Sequence, residues 1–229
     1  MIANQIKAKI QSGEYSPGER LPSERELADM LTVSRPSVRE ALIALEIEGY
    51  VDVRVGIGVF VTKPNEDVGF GAGPSAETPV FPGQGDMGAH DLLEARMLVE
   101  PVCAELAARN ATPAQLAAME AAVLALPSSG QPSQHNDTFH LAIAEASGNV
   151  ALASTMLHLW KLSESSAIFN KLNQHFVIGE VWEAAHVEHM SLLRAIQKRK
   201  PIAARRAMQA HLAGIRSRLG LDSSSDGEI

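Results

Sequence analysis

The chain has 229 residues, of which 45% are hydrophobic and one is a cysteine. This composition supports a folded core and excludes a disordered chain or a disulfide-stabilised secreted domain. No apolar run reaches the roughly 18 to 20 residues that cross a bilayer, so we expect a cytoplasmic protein without a membrane partner. The net charge of −7 argues against general binding to nucleic acid. Residues 1–63, however, carry 8 basic against 9 acidic side chains, so this segment is close to neutral and needs only a local basic cluster to bind DNA.

The first part of the chain predicts two helices. Isoleucine recurs every four residues from Ile2 to Ile10, which places these side chains on one face of a helix. Pro17 and Gly18 then turn the chain. Ser23 and Glu26 have the spacing of a capping box, in which the two side chains satisfy backbone N–H groups at the start of a helix. A second helix is therefore predicted to begin directly after Ser23.

A third helix is predicted after a tight corner at residues 32–34. Ser34 suits the N-cap position, and Pro36 is tolerated because it falls in the first turn. An arginine matches the paired acceptors of guanine, while hydroxyl groups at a helix N-terminus suit phosphates. The polar side chains left at the exposed N-terminal end of this helix are Ser34, Arg35, Ser37 and Arg39.

A small β-hairpin is predicted next. Two short segments, Val51-Asp52-Val53 and Val59-Phe60-Val61, flank Gly56 and Gly58, which suit a tight tip. The order helix, corner, helix and hairpin is that of a winged helix-turn-helix, which places one helix in the major groove of duplex DNA. Each arginine taken alone is more simply explained as a solvated side chain, but the complete order favours double-stranded DNA as the partner.

A segment rich in glycine and proline separates this module from the rest of the chain. Residues 64–88 contain six glycines and four prolines, which exclude a regular helix or a central strand. Helical patterns then continue almost to the end, with stretches at about 134–146, 150–171, 176–199 and 201–219. The expected fold class is mainly α, with a winged helix-turn-helix and an antiparallel all-α bundle of six or seven helices. The expected domain bounds are 1–63 for the DNA-binding module, 64–89 for the linker, 90–219 for the helical domain and 220–229 for a disordered tail.

Three histidines interrupt the inward-facing patterns of separate predicted helices. They are His140, His189 and His211, and Asn136 precedes His140 by four residues, on the same helix face. Three imidazoles and one oxygen ligand from separate helices of a bundle can surround a divalent metal ion. Spacing alone leaves open that these histidines are ordinary core or surface residues.

Residues 2–62 resemble the DNA-binding domain of the GntR family of bacterial transcription regulators. The matching phrases are PGERLPSERELA, VSRPSVREAL, LEIEGYV and VGIGVFV. In that family, arginines of the second helix and of the recognition helix contact operator DNA, as does a wing that contains glycine. The resemblance therefore implies that Arg25, Arg35, Arg39 and Gly56 contact DNA.

Residues 91–216 resemble the helical ligand-binding domain of FCD type found in the FadR subgroup of that family. The matching order is RxxxE, FHxAIAEASGN, EHxxLLxAI and AxxxMxxHL. Members of the subgroup often bind a metal through one Asp or Asn and three histidines. The resemblance implies that a divalent ion, zinc or a similar transition metal, is held here by Asn136, His140, His189 and His211. Because Asn136 offers a neutral amide oxygen, we expect weaker affinity for a hard cation than a carboxylate would provide.

Arg96 is the candidate residue for binding an effector. It lies on a predicted helix rich in apolar residues and has the geometry to pair with a carboxylate ligand. The alternative is a structural salt bridge to Glu100, four residues further on the same helix. The sequence leaves both interpretations open.

The expected function is a ligand-responsive transcription regulator, most often a repressor in such families, with a small organic acid as effector. Such a regulator acts as a homodimer on a pseudo-palindromic operator, because the two-fold symmetry of the protein matches that of the DNA. Two alternatives stay open. One is a metal-dependent hydrolase with an attached DNA module, although the sequence lacks an HExxH-like glutamate that would serve as its base. The other is a purely structural dimerisation bundle with incidental histidines.

Overall fold

A computed structural model describes residues 2–62, 88–128, 130–177 and 179–221. The predicted linker, apart from its last two residues, and the predicted tail beyond residue 221 lie outside these ranges. Within them the protein is mainly α, with ten α-helices and one two-stranded sheet, as expected for the fold class. The chain divides into two compact units. The first contains the chain up to Ala89, the segment Ser166–His175 and the chain from Gly220, and the second contains His90–Ser165 and Phe176–Leu219.

Three helices form the centre of the first unit: α1 (Ile2–Gln11), α2 (Glu24–Leu31) and α3 (Arg35–Ile47). The isoleucine stripe of α1 is inward, since Ile6 and Ile10 are both buried. These side chains pack in one apolar cluster with buried residues of α2, α3 and the hairpin. Other members of this cluster are Leu27, Val38, Leu42, Leu45, Val51 and Val61.

The corner between α2 and α3 is built from local hydrogen bonds. Ser23 Oγ accepts from the backbone N–H of Glu26, and Glu26 Oε2 accepts from the backbone N–H of Ser23 at 2.8 Å, so the predicted capping box is present. Thr32 has a φ of 55° and ends α2 in the left-handed region. Ser34 then caps α3 by accepting from the backbone N–H of Ser37. Together these caps define the sharp turn of a helix-turn-helix.

The predicted hairpin is also present. Strands β1 (Val51–Arg54) and β2 (Gly58–Val61) pair antiparallel, with Val51 opposite Val61 and Arg54 opposite Gly58. Gly56 has a φ of 75°, a backbone conformation that glycine adopts without steric cost, and it lies at the exposed tip. The hairpin therefore forms the wing of a winged helix-turn-helix.

Seven α-helices follow in the described part of the chain, in agreement with the predicted six or seven. They are α4 (Ala89–Asn110), α5 (Pro113–Ala125), α6 (Pro132–Ala146), α7 (Val150–Ser165), α8 (Ala167–Phe176), α9 (Gly179–Gln197) and α10 (Pro201–Arg218). All except α8 belong to the second unit, apart from the first residue of α4. The core of this unit contains Leu92, Leu93, Phe139, Ile143 and Leu192, all nearly inaccessible to solvent. No helix among the described residues is long and apolar enough to cross a membrane.

One predicted helix was wrong. The stretch 150–171, expected to be a single helix, is divided at Ser166 into α7 and α8. Ser166 is buried, and its Oγ accepts from the backbone N–H of Phe169 at 3.2 Å, so it acts as a new N-cap. No proline or glycine stands between residues 150 and 171, so the sequence carries no strong helix-breaking signal at this point.

Helix α8 makes polar contacts within the first unit. His175 Nε2 lies 2.8 Å from Glu46 Oε2, and Lys171 Nζ lies 3.7 Å from Glu46 Oε1. Glu46 belongs to the last turns of α3 and also accepts from the backbone N–H of Val53 in the wing. One carboxylate therefore joins α8 to both the recognition helix and the wing.

Candidate metal centre and nucleic-acid interface

Three buried imidazoles converge in the second unit. His140 projects from α6, His189 from α9 and His211 from α10, and none is more than 2% exposed. His189 Nε2 lies 3.2 Å from His140 Nε2 and 3.3 Å from His211 Nε2. Three helices distant in sequence thus bring the same ring atom to one point.

Two glutamates orient two of these rings. Glu100 Oε2 lies 2.6 Å from His140 Nδ1, and Glu188 Oε2 lies 2.6 Å from His211 Nδ1. A neutral imidazole that donates its Nδ1–H to a carboxylate presents the lone pair of Nε2 on the other side. His140 and His211 are therefore held with their lone pairs directed to the shared centre. His189 Nδ1 is buried and has no hydrogen-bond partner in the described part of the chain.

Both glutamates are also paired with arginines, which keeps them ionised. Burial raises the pKa of Glu100, but Arg96 and His140 outweigh it and hold this pKa at about 2. Burial likewise opposes ionisation of Glu188, whose hydrogen bonds from His211 and Arg218 lower its pKa to about 2. The second pair is bidentate, with Arg218 Nη1 and Nη2 donating at 2.8 and 3.0 Å.

Burial favours the neutral form of two of the imidazoles, His189 and His211. Burial lowers the pKa of His211 to about 4, and the hydrogen bond to Glu188 only partly opposes this. Burial lowers the pKa of His189 well below its ordinary value, and the neighbouring His140 and His211 lower it further. Neutral imidazole is the form that binds a metal.

These rings fit a divalent transition-metal ion. In a tetrahedral zinc site with Zn–N distances of about 2.0–2.1 Å, two ligand nitrogens lie roughly 3.3 Å apart. The two short Nε2–Nε2 distances of 3.2 and 3.3 Å match this spacing.

Asn136 and Asp137 lie on α6, one turn before His140. The Asn136 amide nitrogen donates to Asp137 Oδ1 at 3.0 Å, and both residues are half-buried. The amide nitrogen is thus engaged, and the amide oxygen is the atom that suits a cation. The pKa of Asp137 is raised by burial, while Asn136, His140 and Arg96 act in the opposite direction.

Arg96 forms the salt bridge that the sequence offered as one of its two alternatives. Its Nε donates to Glu100 Oε1 at 2.6 Å, so the salt bridge exists, and the residue is 3% exposed. Its Nη2 is also buried but finds no hydrogen-bond partner within the described ranges. The guanidinium lies over the ring of Trp160 on α7, with 4.3 Å between Cζ and the ring centroid. Among the described residues, the salt bridge to Glu100 therefore leaves the Nη2 amino group of Arg96 without an acceptor.

The predicted DNA-contacting residues lie on α2, on α3 and at the wing. Arg25, Ser34, Arg35 and Gly56 are exposed, and Ser37 is half-buried. Ser34 Oγ lies 2.8 Å from Ser37 Oγ at the start of α3. Exposed basic and hydroxyl groups at the N-terminus of a helix are suited to phosphates and base edges.

Arg39, on α3, is held by an ion pair to the preceding helix. Its Nε donates to Glu24 Oε1 at 2.8 Å, and its side chain is 15% exposed. Glu24 begins α2, so this pair ties the recognition helix to the helix before it. Sequence patterns did not reveal this contact.

Two neighbours of the centre were missed by sequence reasoning. Glu188 stands directly before His189, and nothing in its spacing indicated that it serves His211 on another helix. Trp160 lies in an apolar stretch of α7, which predicts only an ordinary core position. Its contact partner Arg96 is more than 60 residues away in the chain. Only helix packing brings these side chains to the centre.

Comparison with known proteins identifies both halves of the chain. The profile of bacterial regulatory proteins of the gntR family matches residues 1–61, and that of the FCD domain matches residues 91–214. The Uxu operon transcriptional regulator of Escherichia coli K12 is 35% identical over 224 residues, covering 95% of this chain and 85% of that protein. The HTH-type transcriptional repressor NanR of Citrobacter rodentium is 30% identical, covering 94% and 82%.

Among solved structures, E. coli McbR/YncC is similar in fold, with a TM-score of 0.51 and 20% identity over 95% of this chain and 94% of that one. The relatives are DNA-binding transcription regulators and not enzymes, so the hydrolase alternative is set aside. The chain belongs to the GntR family of bacterial regulatory proteins, with an N-terminal winged helix-turn-helix and a C-terminal FCD domain.

Proposed function

We propose that this regulator holds a divalent metal ion in its FCD domain and uses it to bind a small carboxylate effector. One observation carries the proposal: His189 Nε2 lies at the spacing of zinc ligands from both His140 Nε2 and His211 Nε2, and the three rings form one buried cluster. Asn136 would supply an oxygen as the fourth protein ligand. When bound, the metal would act as a Lewis acid that attracts an anionic oxygen.

The charges around the centre support an anionic effector. Glu100 is offset by Arg96, and Glu188 is offset by Arg218. Imidazoles bind a metal in their neutral form and so add no charge, and Asp137 adds one negative charge when ionised. A divalent ion would leave an excess of one positive charge, which a monocarboxylate would neutralise.

Arg96 is the residue we assign to hold the carboxylate. Its Nε is committed to Glu100, and its buried Nη2 supplies a directed donor. Glu100 joins this arginine to His140, so one carboxylate fixes both the ligand-binding arginine and a metal ligand. We propose that effector binding at this point shifts the populations of two domain arrangements and so changes operator affinity.

On the DNA side, we propose that Arg25, Ser34, Arg35, Ser37, Arg39 and Gly56 contact the operator. Two copies of the chain would dock on the half-sites of a pseudo-palindrome as a homodimer, acting as a repressor. Since its partner would be chromosomal DNA, we place the protein in the cytoplasm. We also assign it to the FadR subgroup, on the strength of its FCD domain.

Metal analysis tests the centre. The His189→Ala variant should lose most bound zinc after equilibration and dialysis, because it removes one of three converging ligands. His158→Ala, an exposed histidine on α7, is the matched control and should keep zinc at the wild-type level. Full zinc occupancy in the His189→Ala protein would contradict the site.

Operator binding tests the DNA interface. Arg35→Ala and Arg39→Ala should each weaken specific binding by about 1–3 kcal/mol, if each arginine contacts a base. Arg206→Ala, an exposed arginine on α10, should leave binding unchanged. Fluorescence anisotropy with an operator fragment measures the effect, and wild-type affinity in both variants would exclude the proposed contacts.

A further inference from the structure

The indole of Trp160 is unusual because its polar edge is buried without a partner. Trp160 Nε1 has no hydrogen-bond acceptor among the residues that the structure describes. Tryptophan N–H groups that are buried ordinarily find one, because an unpaired buried donor is costly. The same region contains a second buried donor without an acceptor, Arg96 Nη2.

These two donors belong to groups that lie against one another at the metal centre. The Arg96 guanidinium lies 4.3 Å from the centroid of the Trp160 ring, and the ring of His140 lies 5.5 Å from it. The indole N–H points outward in the ring plane, so it donates beside the stacked guanidinium and not into it. Both unpaired groups are donors, so a molecule that satisfies them must bring acceptor oxygens.

We infer that Trp160 is a specificity-determining residue, whose indole N–H donates to an oxygen of the effector other than its carboxylate. The inference rests on the proposed function. In that proposal the metal and Arg96 Nη2 take the two carboxylate oxygens, which leaves the Trp160 donor for a further acceptor. A carboxylic acid with a hydroxyl or carbonyl near the carboxylate meets this requirement, and an unsubstituted aliphatic acid does not.

The substitution that tests this is Trp160→Phe. Phenylalanine keeps an aromatic face for Arg96 and most of the apolar volume, and it removes only the N–H donor and part of the ring. Trp182→Phe is the matched control, because Trp182 is the only other tryptophan of the chain and lies half-buried on α9. Thermal melting of both variants establishes that they are folded.

The probes are propionate, racemic 2-hydroxypropionate and 3-hydroxypropionate, titrated into zinc-loaded full-length protein. We expect Trp160→Phe to weaken binding of at least one hydroxy acid by roughly three- to tenfold, the usual effect of one hydrogen bond. Propionate should bind both proteins alike. In the nitrogen-15 spectrum, the indole signal of Trp160 should move downfield with the hydroxy acid, while that of Trp182 stays in place.

Two results would overturn the assignment. One is that each of the three acids binds wild type and Trp160→Phe with the same affinity, while Arg96→Ala weakens the binding of propionate. In that case the metal and carboxylate site stands and only the role of Trp160 fails. The other is an absence of binding of any acid to wild-type protein with measured zinc occupancy, which removes the proposed effector class together with this inference.

Discussion

Glu188 contacts two groups at once, and this explains how a half-exposed glutamate can influence a buried centre. It accepts from His211 Nδ1 at 2.6 Å on one side and from the Arg218 guanidinium on the other. The arginine fixes the carboxylate, and the carboxylate fixes the ring that presents Nε2. Positioning groups of this kind commonly change metal affinity although they never contact the metal.

Replacing Glu188 with glutamine should therefore weaken zinc binding without removing a ligand. We expect the dissociation constant for zinc to rise by about 10- to 100-fold. The substitution removes the negative charge, and the amide has only one acceptor oxygen for the two donors, His211 and Arg218. Competition with a chromophoric chelator measures it. Glu180→Gln, an exposed position on the first turn of the same helix, should bind zinc as the wild type does. Equal affinities for the two variants would remove the positioning role of Glu188.

Among the secondary-structure elements, helices α2 and α5 each begin with a capping box, but the two boxes use different residues. In α2 the box is Ser23 with Glu26, and in α5 it is Thr112 with Gln115. Each hydroxyl accepts from the third backbone N–H of its helix, and each long side chain accepts from the N-cap N–H. The two boxes lie in different units, so each can be perturbed separately.

Removing either hydroxyl should loosen only its own helix. Ser23→Ala and Thr112→Ala should each cost about 0.5–2 kcal/mol of stability. Amide exchange measured by mass spectrometry should rise at α2 in the first variant and at α5 in the second. If Ser23→Ala raised exchange in α5, if Thr112→Ala raised it in α2, or if neither variant raised exchange in its own helix, the caps would not act locally.

The two boxes should respond differently to acid. The backbone and side chain of Ser23 hydrogen-bond to Glu26 and lower its pKa below the ordinary 4.5, whereas Gln115 does not titrate. A carboxyl whose pKa is lower in the folded than in the unfolded state stabilises the fold at pH values above its unfolded-state pKa. This stabilisation is lost as the pH falls through the folded-state pKa. The loss of helix stability caused by Ser23→Ala should therefore become smaller below pH 4.5, while the loss caused by Thr112→Ala should persist. Amide exchange measured at one pH value above 4.5 and one below it tests this difference. An unchanged Ser23→Ala effect would indicate that Glu26 contributes nothing to the cap.

At the scale of the whole molecule, metal binding should appear as stability of the helical unit. A ligand that binds only the folded state stabilises it by about 2.7 kcal/mol at 100 times its dissociation constant. Calorimetry should therefore show one unfolding transition shifted upward by several degrees on zinc addition. Chelator should reverse the shift, and the His189→Ala variant should lack it. If zinc left the midpoint temperatures of the wild-type protein unchanged, the proposed metal centre would be excluded.

The two units also suggest how a signal could reach the recognition helix. The chain runs from α7, which carries Trp160, directly into α8, and α8 contacts Glu46 of α3 through His175 and Lys171. Glu46 in turn accepts from the wing at Val53. Within the first unit, a displacement of α8 would therefore be transmitted through Glu46 to both α3 and the wing.

The local structure of this protein was largely readable from its sequence. The capping box at Ser23, the cap at Ser34 and the glycine tip of the wing depend on residues within four positions of one another, so their spacing predicts them. The mainly α fold followed from short-range periodicity and the GntR family from a resemblance of sequence motifs, and both were confirmed. His140, His189 and His211 were singled out because they interrupt inward-facing helical patterns, and the resemblance implied that they are metal ligands. Their convergence is a property of the folded helices.

The tertiary structure decided everything that joins distant segments. It divided the predicted helix 150–171 at Ser166, paired Arg39 with Glu24, and gave Arg96 both Glu100 and Trp160 as neighbours. The physical reason is that a periodic pattern shows which face of a helix is buried but not which other helix covers that face. Contacts between side chains 40 or 60 residues apart arise only when helices pack, and the chemistry of the centre consists of such contacts.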